Sequence, residues 1–309
     1  MDKSRAVEIT KNVKQYKRYD VYYQDPLSER FILYKPKGVD IDEIRIKTKK
    51  VPQQLYVSLN DQLDFVGCRH EEYNARLKDI LKTSPQESKQ LLTRILDLGL
   101  TVPVGEVLHH MRTTVDIVVR EFMEDDDVLR RMVEVTTKDL STSVHSVNVM
   151  LHCLGYARQI RREYEELKSF GLMGLLHDVG KLKIPDSILK APRRLTHEEF
   201  DLIKAHPNHG YNILVQSKVE KRIRIGALQH HERCDGSGYP KNMEGKDLLP
   251  ESKALAIIDV YEALTNWRSY KEPVKSLAAL NIIKEDVEKG RLDREMFEIF
   301  ANSLVGTKM

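Results

Sequence analysis

Leu172-Met173-Gly174-Leu175-Leu176-His177-Asp178-Val179-Gly180-Lys181 places an imidazole and a carboxylate at the end of an otherwise apolar run. The run predicts a buried helix that ends in His-Asp and is closed by Gly180 in a C-cap position. Burying those two side chains is costly unless something neutralises them. A divalent cation does so, because the Asp can bridge two ions while the adjacent His binds one. A lone His-Asp pair has a structural reading as well, so the weight falls on what accompanies it along the chain.

Downstream, Ala254-Leu255-Ala256-Ile257-Ile258-Asp259-Val260-Tyr261-Glu262-Ala263-Leu264 is a second apolar helix with a carboxylate at its centre. Charged side chains are almost never fully buried unless paired, so Asp259 requires a partner: a cation, an Arg, or a hydrogen-bonded turn. Between the two helices, His230-His231 follows the helical stretch Lys221 to Gln229. Adjacent helical side chains diverge by about a third of a turn or less, so both imidazoles reach one ion only where the helix ends or bends. Asp235-Gly236-Ser237-Gly238-Tyr239-Pro240 supplies that irregularity, with two glycines that permit unusual backbone angles and a proline that forbids helix continuation.

Composition bounds the rest. A chain of 309 residues with 41% hydrophobic content can build one large or two ordinary cores. Its 50 Lys+Arg against 47 Asp+Glu are too balanced for a general binder of polymeric nucleic acid, although a local basic pocket for a dinucleotide is compatible with them. Cys68, Cys153 and Cys234 lie far apart without Cys-x-x-Cys spacing, which argues against a disulfide framework or a thiolate zinc site. Met1-Asp2-Lys3-Ser4-Arg5 does not open a signal peptide, and no run approaches the ~20 apolar residues that span a bilayer. A cytoplasmic protein without membrane insertion is expected.

Residues 19 to 66 have a different texture. Tyr19 to Tyr23, Phe31-Ile32-Leu33-Tyr34 and Gln54-Leu55-Tyr56-Val57-Ser58 predict short strands, separated by Asp25-Pro26 and Pro36-Lys37-Gly38 turns. A helix is expected from about Asp64 to Lys82, then a break over Thr83 to Ser88 where Ser84-Pro85 can cap and start the next helix. Beyond it the periodicity is helical, as in Leu91, Leu92, Ile95, Leu96 and in Val115, Ile117, Val118, Phe122. The expected architecture is therefore a small α+β domain over 1–84 and an all-α bundle over 85–309.

His177-Asp178, His206-Pro207, His230-His231-Glu232 with the Gly-Tyr-Pro loop at 238–240, and Asp259, in that order, resemble the HD-GYP family, helical metal-dependent phosphodiesterases of the bacterial signal cyclic di-GMP. The resemblance covers roughly the C-terminal half. It implies that His145, on a helix over Ser141 to Arg158, is the first ligand. His145, His177, Asp178 and Asp259 would then hold one ion, and His206, His230, His231 and the bridging Asp178 a second. Such imidazole-plus-carboxylate sites suit iron or manganese, with zinc also compatible. Two ions bridged by Asp178 can lower the pKa of a shared water and clamp a phosphate oxygen. Lys181 is placed to donate to the phosphate or leaving oxygen, or else satisfies a helix end. Arg268 and Lys271 match the family's basic positions and would grip phosphate or a guanine edge; Tyr239 offers a ring for base stacking. Glu232 and Asp235 are expected to orient the histidines and the loop. His70, His109, His110, His152, His197 and His209 match no ligand position.

Three departures stand out. Many family members have a glutamate where this chain has Ser141, so two ions are expected rather than three. Asn148 stands where Arg is common, and Glu262 where Asp is. The expected activity is hydrolysis of cyclic di-GMP to linear pGpG, with GMP the product of a second cut. The alternatives are a catalytically weak relative that senses cyclic di-GMP or docks signalling proteins, and an HD nucleotidase of another phosphoester; the loop from Glu232 to Pro240 argues against the latter. The N-terminal part loosely resembles small domains that precede HD-GYP modules, through Phe31 to Lys37 and Leu55-Tyr56-Val57, which implies a regulatory or partner-binding role or a packed spacer.

Overall fold

The β-rich runs near the N-terminus pair into one sheet. In the computed structural model, which describes residues 6–9, 16–39, 54–135, 141–191, 193–267 and 273–305, β1 (Ala6–Ile9), β2 (Val21–Gln24), β3 (Phe31–Lys35) and β4 (Leu55–Ser58) form an antiparallel sheet of order β1-β4-β2-β3. Three strands fall on the expected runs; β1 precedes them in a stretch too short to show alternation. Tyr16, Val21, Leu55, Val57 and Phe65 are buried, and the rings of Tyr16 and Phe65 stack at 4.5 Å. Lys35 is buried too, and its ammonium donates to the carbonyls of Tyr19 (2.9 Å) and Pro36 (3.2 Å), which keeps the charge solvated by backbone dipoles. The chain divides into two compact units, 1–72 and 73–309. The division falls inside α1 (Leu59–Ile80) rather than at the Thr83–Ser88 break.

The second unit is helical. Pro85 occupies the first turn of α2 (Pro85–Gly99), as its fixed φ favours, but the Ser84 side chain makes no capping bond. Leu91, Leu92, Ile95 and Leu96 line the buried stripe of α2, and Val115, Ile117, Val118 and Phe122 that of α3 (Val104–Glu124). After α4 (Asp126–Glu134) come α5 (Thr142–Gln159) and α6 (Tyr164–Leu176), both apolar on most of their circumference. Helices of that kind are stable only when surrounded. Accordingly α5 packs on α2, α6, α11 (Pro250–Thr265) and α13 (Arg294–Val305). Met150, Leu151 and Leu154 of α5 are fully enclosed, each stabilising the fold by roughly 1.5 to 3 kcal/mol.

A 3-10 turn (Val179–Lys183), a short α7 (Asp186–Leu189) and α8 (His197–Lys204) follow α6 and lead to α9 (His206–Gln216) and α10 (Lys221–Gln229). The last connection leads from α11 through α12 (Ser276–Glu288) to α13. Among the described residues, no helix is long and apolar enough to cross a membrane.

Lys89 of α2 is 4% exposed, and its ammonium donates to the carbonyl of Val135. Burial lowers its pKa from 10.5 to about 8, against the raising field of Glu262. Between about pH 8 and 10.5 the unfolded chain therefore holds a proton that the folded chain lacks, and stability rises across that window. Lys89→Met should abolish this rise and raise stability at pH 7 by something on the order of 2 kcal/mol, as measured by urea unfolding at a series of pH values.

Candidate metal centre

The centre lies where α5, α6, α9, α10 and α11 converge. α6 ends at Leu176, and His177 is its C-cap residue in a right-handed conformation. Gly180 is thus not the cap expected from the sequence; it lies within the 3-10 turn, and its lack of a side chain serves a close approach. A Cβ there would lie 1.9 Å from the carbonyl oxygen of His206 and 2.5 Å from the backbone nitrogen of Gly210. This contact presses the His-Asp turn against the first turn of α9 and delivers His206 to Asp178. His230 is the C-cap residue of α10, so His231 follows beyond the regular helix and both rings face the same space. Gly236 adopts φ +76° in the loop that follows, a left-handed angle that favours glycine. Glu232, 1% exposed, accepts the backbone N–H groups of Lys241 (2.6 Å) and Met243 (3.0 Å) and so closes that loop, while Asp235 accepts from Ser237. The bonds of Glu232 and Asp235 are to the loop rather than to the histidines.

Hydrogen bonding sets the histidine tautomers. His177, His206 and His230 direct Nδ1 at the carbonyls of Gly174 (2.7 Å), Ile203 (2.7 Å) and Ala227 (2.9 Å). A carbonyl only accepts, so each Nδ1 carries a hydrogen and Nε2 is the nitrogen whose lone pair a cation can take. His145 directs Nδ1 at the Glu262 carboxylate, so that in its neutral form Nε2 is the nitrogen left for a cation. The Nε2 atoms of His145 and His177 are 3.2 Å apart, and those of His206 and His230 are 3.1 Å apart. Lone pairs at such separations repel unless positive charge lies between them.

Asp178 and Asp259 supply the negative side. Asp178 Oδ2 is 3.5 Å from His145 Nε2 and 3.4 Å from His177 Nε2; Oδ1 is 3.2 Å from His206 Nε2 and 3.8 Å from His230 Nε2. The two oxygens thus face two different imidazole pairs, and Oδ1 is buried without a hydrogen-bond partner. Asp259 Oδ1 lies 3.1 Å from His145 Nε2, and its Oδ2 lies 3.7 Å from His231 Nδ1. Among the described residues three groupings have ligand atoms close enough to hold a cation: His145, His177 and Asp259; His206, His230 and His231; and, between them, His177, Asp178 and His230. A divalent ion in each of the first two fits the donor set, the orphaned oxygen and the convergent lone pairs.

Charge follows the same logic. Burial alone would raise the pKa of both carboxylates, but Lys181 and the histidines hold Asp178, and the histidines hold Asp259, well below the usual range. Burial would lower His145, yet Glu262 and Asp259 outweigh it and raise the imidazole to about 9. Burial and the neighbouring histidines depress His230, and burial depresses His231 to about 3. His230 and His231, which resist protonation, are available as ligands at neutral pH, whereas a cation at His145 displaces a proton.

All seven residues expected as ligands are thereby brought together: His145, His177, Asp178, His206, His230, His231 and Asp259. The Lys181 ammonium is 2.5 Å from Asp178 Oδ2. The Tyr239 ring packs against His231 at 4.8 Å, so one of its faces is already used. Arg268 and Lys271 lie outside the described residues. Ser141 is the N-cap of α5, its hydroxyl accepting from the N–H of Val144 at 3.2 Å. His152 packs between Tyr261 and Phe300, and a cavity of about 390 Å³ lined by Tyr156, Arg162, Arg222 and Glu251 includes none of the cluster. What sequence reasoning missed is Glu262 and its two amide partners. Asn148 and Glu262 are visible in the sequence as departures, but their contact is not.

Residues 127–296 match the HD domain family. The cyclic di-GMP phosphodiesterase PA4108 of Pseudomonas aeruginosa is 32% identical over 196 residues, 63% of this chain and 47% of that protein. The cyclic di-GMP phosphodiesterase response regulator RpfG of Xanthomonas campestris is 34% identical over 238 residues, 74% and 58% of the two chains. The 3′3′-cGAMP-specific phosphodiesterase 1 of Vibrio cholerae is 34% identical over 169 residues, 55% and 39%. The chain spans about half the length of these curated relatives. Among solved structures, an HDG"Y"P protein of Bdellovibrio bacteriovorus shares the fold, with a TM-score of 0.61 over 97% of this chain and 100% of that one at 18% identity.

Asp178→Ala should lower the bound divalent metal, because cations among the imidazoles would lose a neutralising carboxylate; elemental analysis of the purified variant checks it, and undiminished metal would show that Asp178 is no bridge. Gly180→Ala should separate the 3-10 turn from α9 at a cost of about 1 to 3 kcal/mol or more, lowering the melting temperature and the metal content together.

Proposed function

We propose, from the premise that the chain belongs to the HD domain family and carries the HD-GYP loop, that it is a metal-dependent phosphodiesterase cleaving cyclic di-GMP to linear pGpG at a site for two ions, iron or manganese. The observation that carries this reading is the division of Asp178, whose two oxygens face separate imidazole pairs. Residues 85–309 form the hydrolytic part in this reading, and residues 1–84 a regulatory or partner-binding part. Two divalent ions held by such a set supply a water acidic enough to lose its proton near neutral pH and Lewis acidity toward a phosphate oxygen.

The chain's own groups do the rest. Asp178 and Asp259 would hold negative charge opposite the ions, and the Nδ1 bonds of His145, His177, His206 and His230 keep those rings from turning. Lys181, anchored on Asp178, holds a proton close to where charge develops on the phosphate. Arg268 and Lys271 bind the dinucleotide, and Tyr239, backed by His231, walls its base. A sensor that binds without turnover is the second reading, favoured by Ser141, whose hydroxyl is committed to capping α5 and offers no carboxylate for a third ion.

The test is incubation of the iron- or manganese-loaded protein with cyclic di-GMP and, separately, with 3′3′-cGAMP, followed by separation of the products. Formation of pGpG is expected; binding without product would favour the sensor. Arg268→Ala should weaken dinucleotide affinity by about 1.5 to 3 kcal/mol in a calorimetric titration, with metal content unchanged, whereas Lys181→Ala should lower kcat more than affinity.

A further inference from the structure

Of the four imidazoles whose Nδ1 partner is described above, three donate to a neutral main-chain carbonyl and one, His145, to a carboxylate. That carboxylate, Glu262, is 2% exposed. Its other oxygen accepts from the side-chain amides of Asn148 (2.8 Å) and Asn266 (2.6 Å). Asn148 lies on α5 one turn from His145, and Asn266 is the C-cap residue of α11. Two helices therefore clamp the carboxylate in the plane where His145 needs it.

We propose that Glu262 is a positioning residue that makes the two ion positions unequal, the ion held by His145, His177 and Asp259 being bound more tightly than the ion held by His206, His230 and His231. The inference rests on the two-ion reading above. An imidazole that donates to a carboxylate keeps more electron density at its far nitrogen than one that donates to a carbonyl, so Nε2 of His145 is the stronger donor. The carboxylate also fixes the ring, because rotation would break a charge-assisted bond inside a water-poor core. His206 and His230 direct Nδ1 at neutral carbonyls instead, and the Nδ1 of His231 is 3.7 Å from Asp259 Oδ2, beyond hydrogen-bond reach.

The experiment is titration of the metal-free, full-length protein with manganese(II) alone, with affinities measured by chelator competition. The parent should take up two ions with separable affinities. Glu262→Gln, which keeps the shape and removes the charge, should weaken one ion about 10- to 100-fold and leave the other unchanged. The same loss should appear on a His206→Ala background, which keeps the His145-side triad intact. Asn148→Ala, which loosens the carboxylate without removing it, should shift the same ion in the same direction by less; it carries the test if Glu262→Gln fails to fold by metal-free thermal melting. Equal weakening of both ions, or of neither, overturns the positioning role while the two-ion reading stands. A parent that binds a single ion overturns that reading, and the inference with it.

Discussion

Everything in the helical unit depends on a concentration of unshared lone pairs inside an apolar bundle. Imidazole nitrogens are brought to about 3 Å from one another, and two buried carboxylates face them. No arrangement of neutral groups makes that stable, since desolvating a carboxylate costs several kcal/mol and the lone pairs repel. Positive charge has to be present. The low pKa values of Asp178 and Asp259 and the raised pKa of His145 express the same demand within the protein itself.

The bundle makes that concentration geometrically definite. Each ligand sits near a helix end or on a fully enclosed helix, and each Nδ1 described is tied to a fixed acceptor. His177, His206 and His230 use a carbonyl three residues earlier in their own chain, a local arrangement that the helix termini provide without help from elsewhere. His145 is the fourth residue of α5, followed by helix whose N–H groups engage the carbonyls around it. It therefore recruits a carboxylate from α11. The difference in partner follows from position along the helix, and it gives His145 a charged support where His177, His206 and His230 have a neutral carbonyl.

The loop from Glu232 to Pro240 illustrates how a charged side chain can act through the backbone. Glu232 accepts two main-chain N–H groups of the residues that follow the loop, so its burial offsets two donors that would otherwise be unsatisfied. The loop then holds Tyr239 against His231, which limits how far that imidazole can turn. Lys181 is similarly constrained by its ion pair with Asp178, so its ammonium is aimed before any substrate arrives.

Much of this was legible in the residues alone. The helical class follows from periodicity, and the seven ligand candidates follow from buried polar residues in apolar runs taken with a motif order that resembles the HD-GYP family. Spacing and the cost of burying charge single out the His177-Asp178 pair and Asp259, whereas His145, His206 and the full set are what the resemblance implies. Other features needed the fold. Gly180 looks like a helix cap in sequence; only the approach of α9 shows that its missing side chain makes room for the His206 carbonyl. Glu262 looks like a minor departure from Asp; only the crossing of α5 and α11 brings it to His145, more than a hundred residues away, and gives it Asn148 as a partner. Strand β1 and the Lys35 ammonium likewise take their meaning from neighbours distant in the chain. A sequence specifies which groups must be satisfied, and tertiary structure decides by whom, because the partner of a buried polar group is set by helix crossings that no local pattern records.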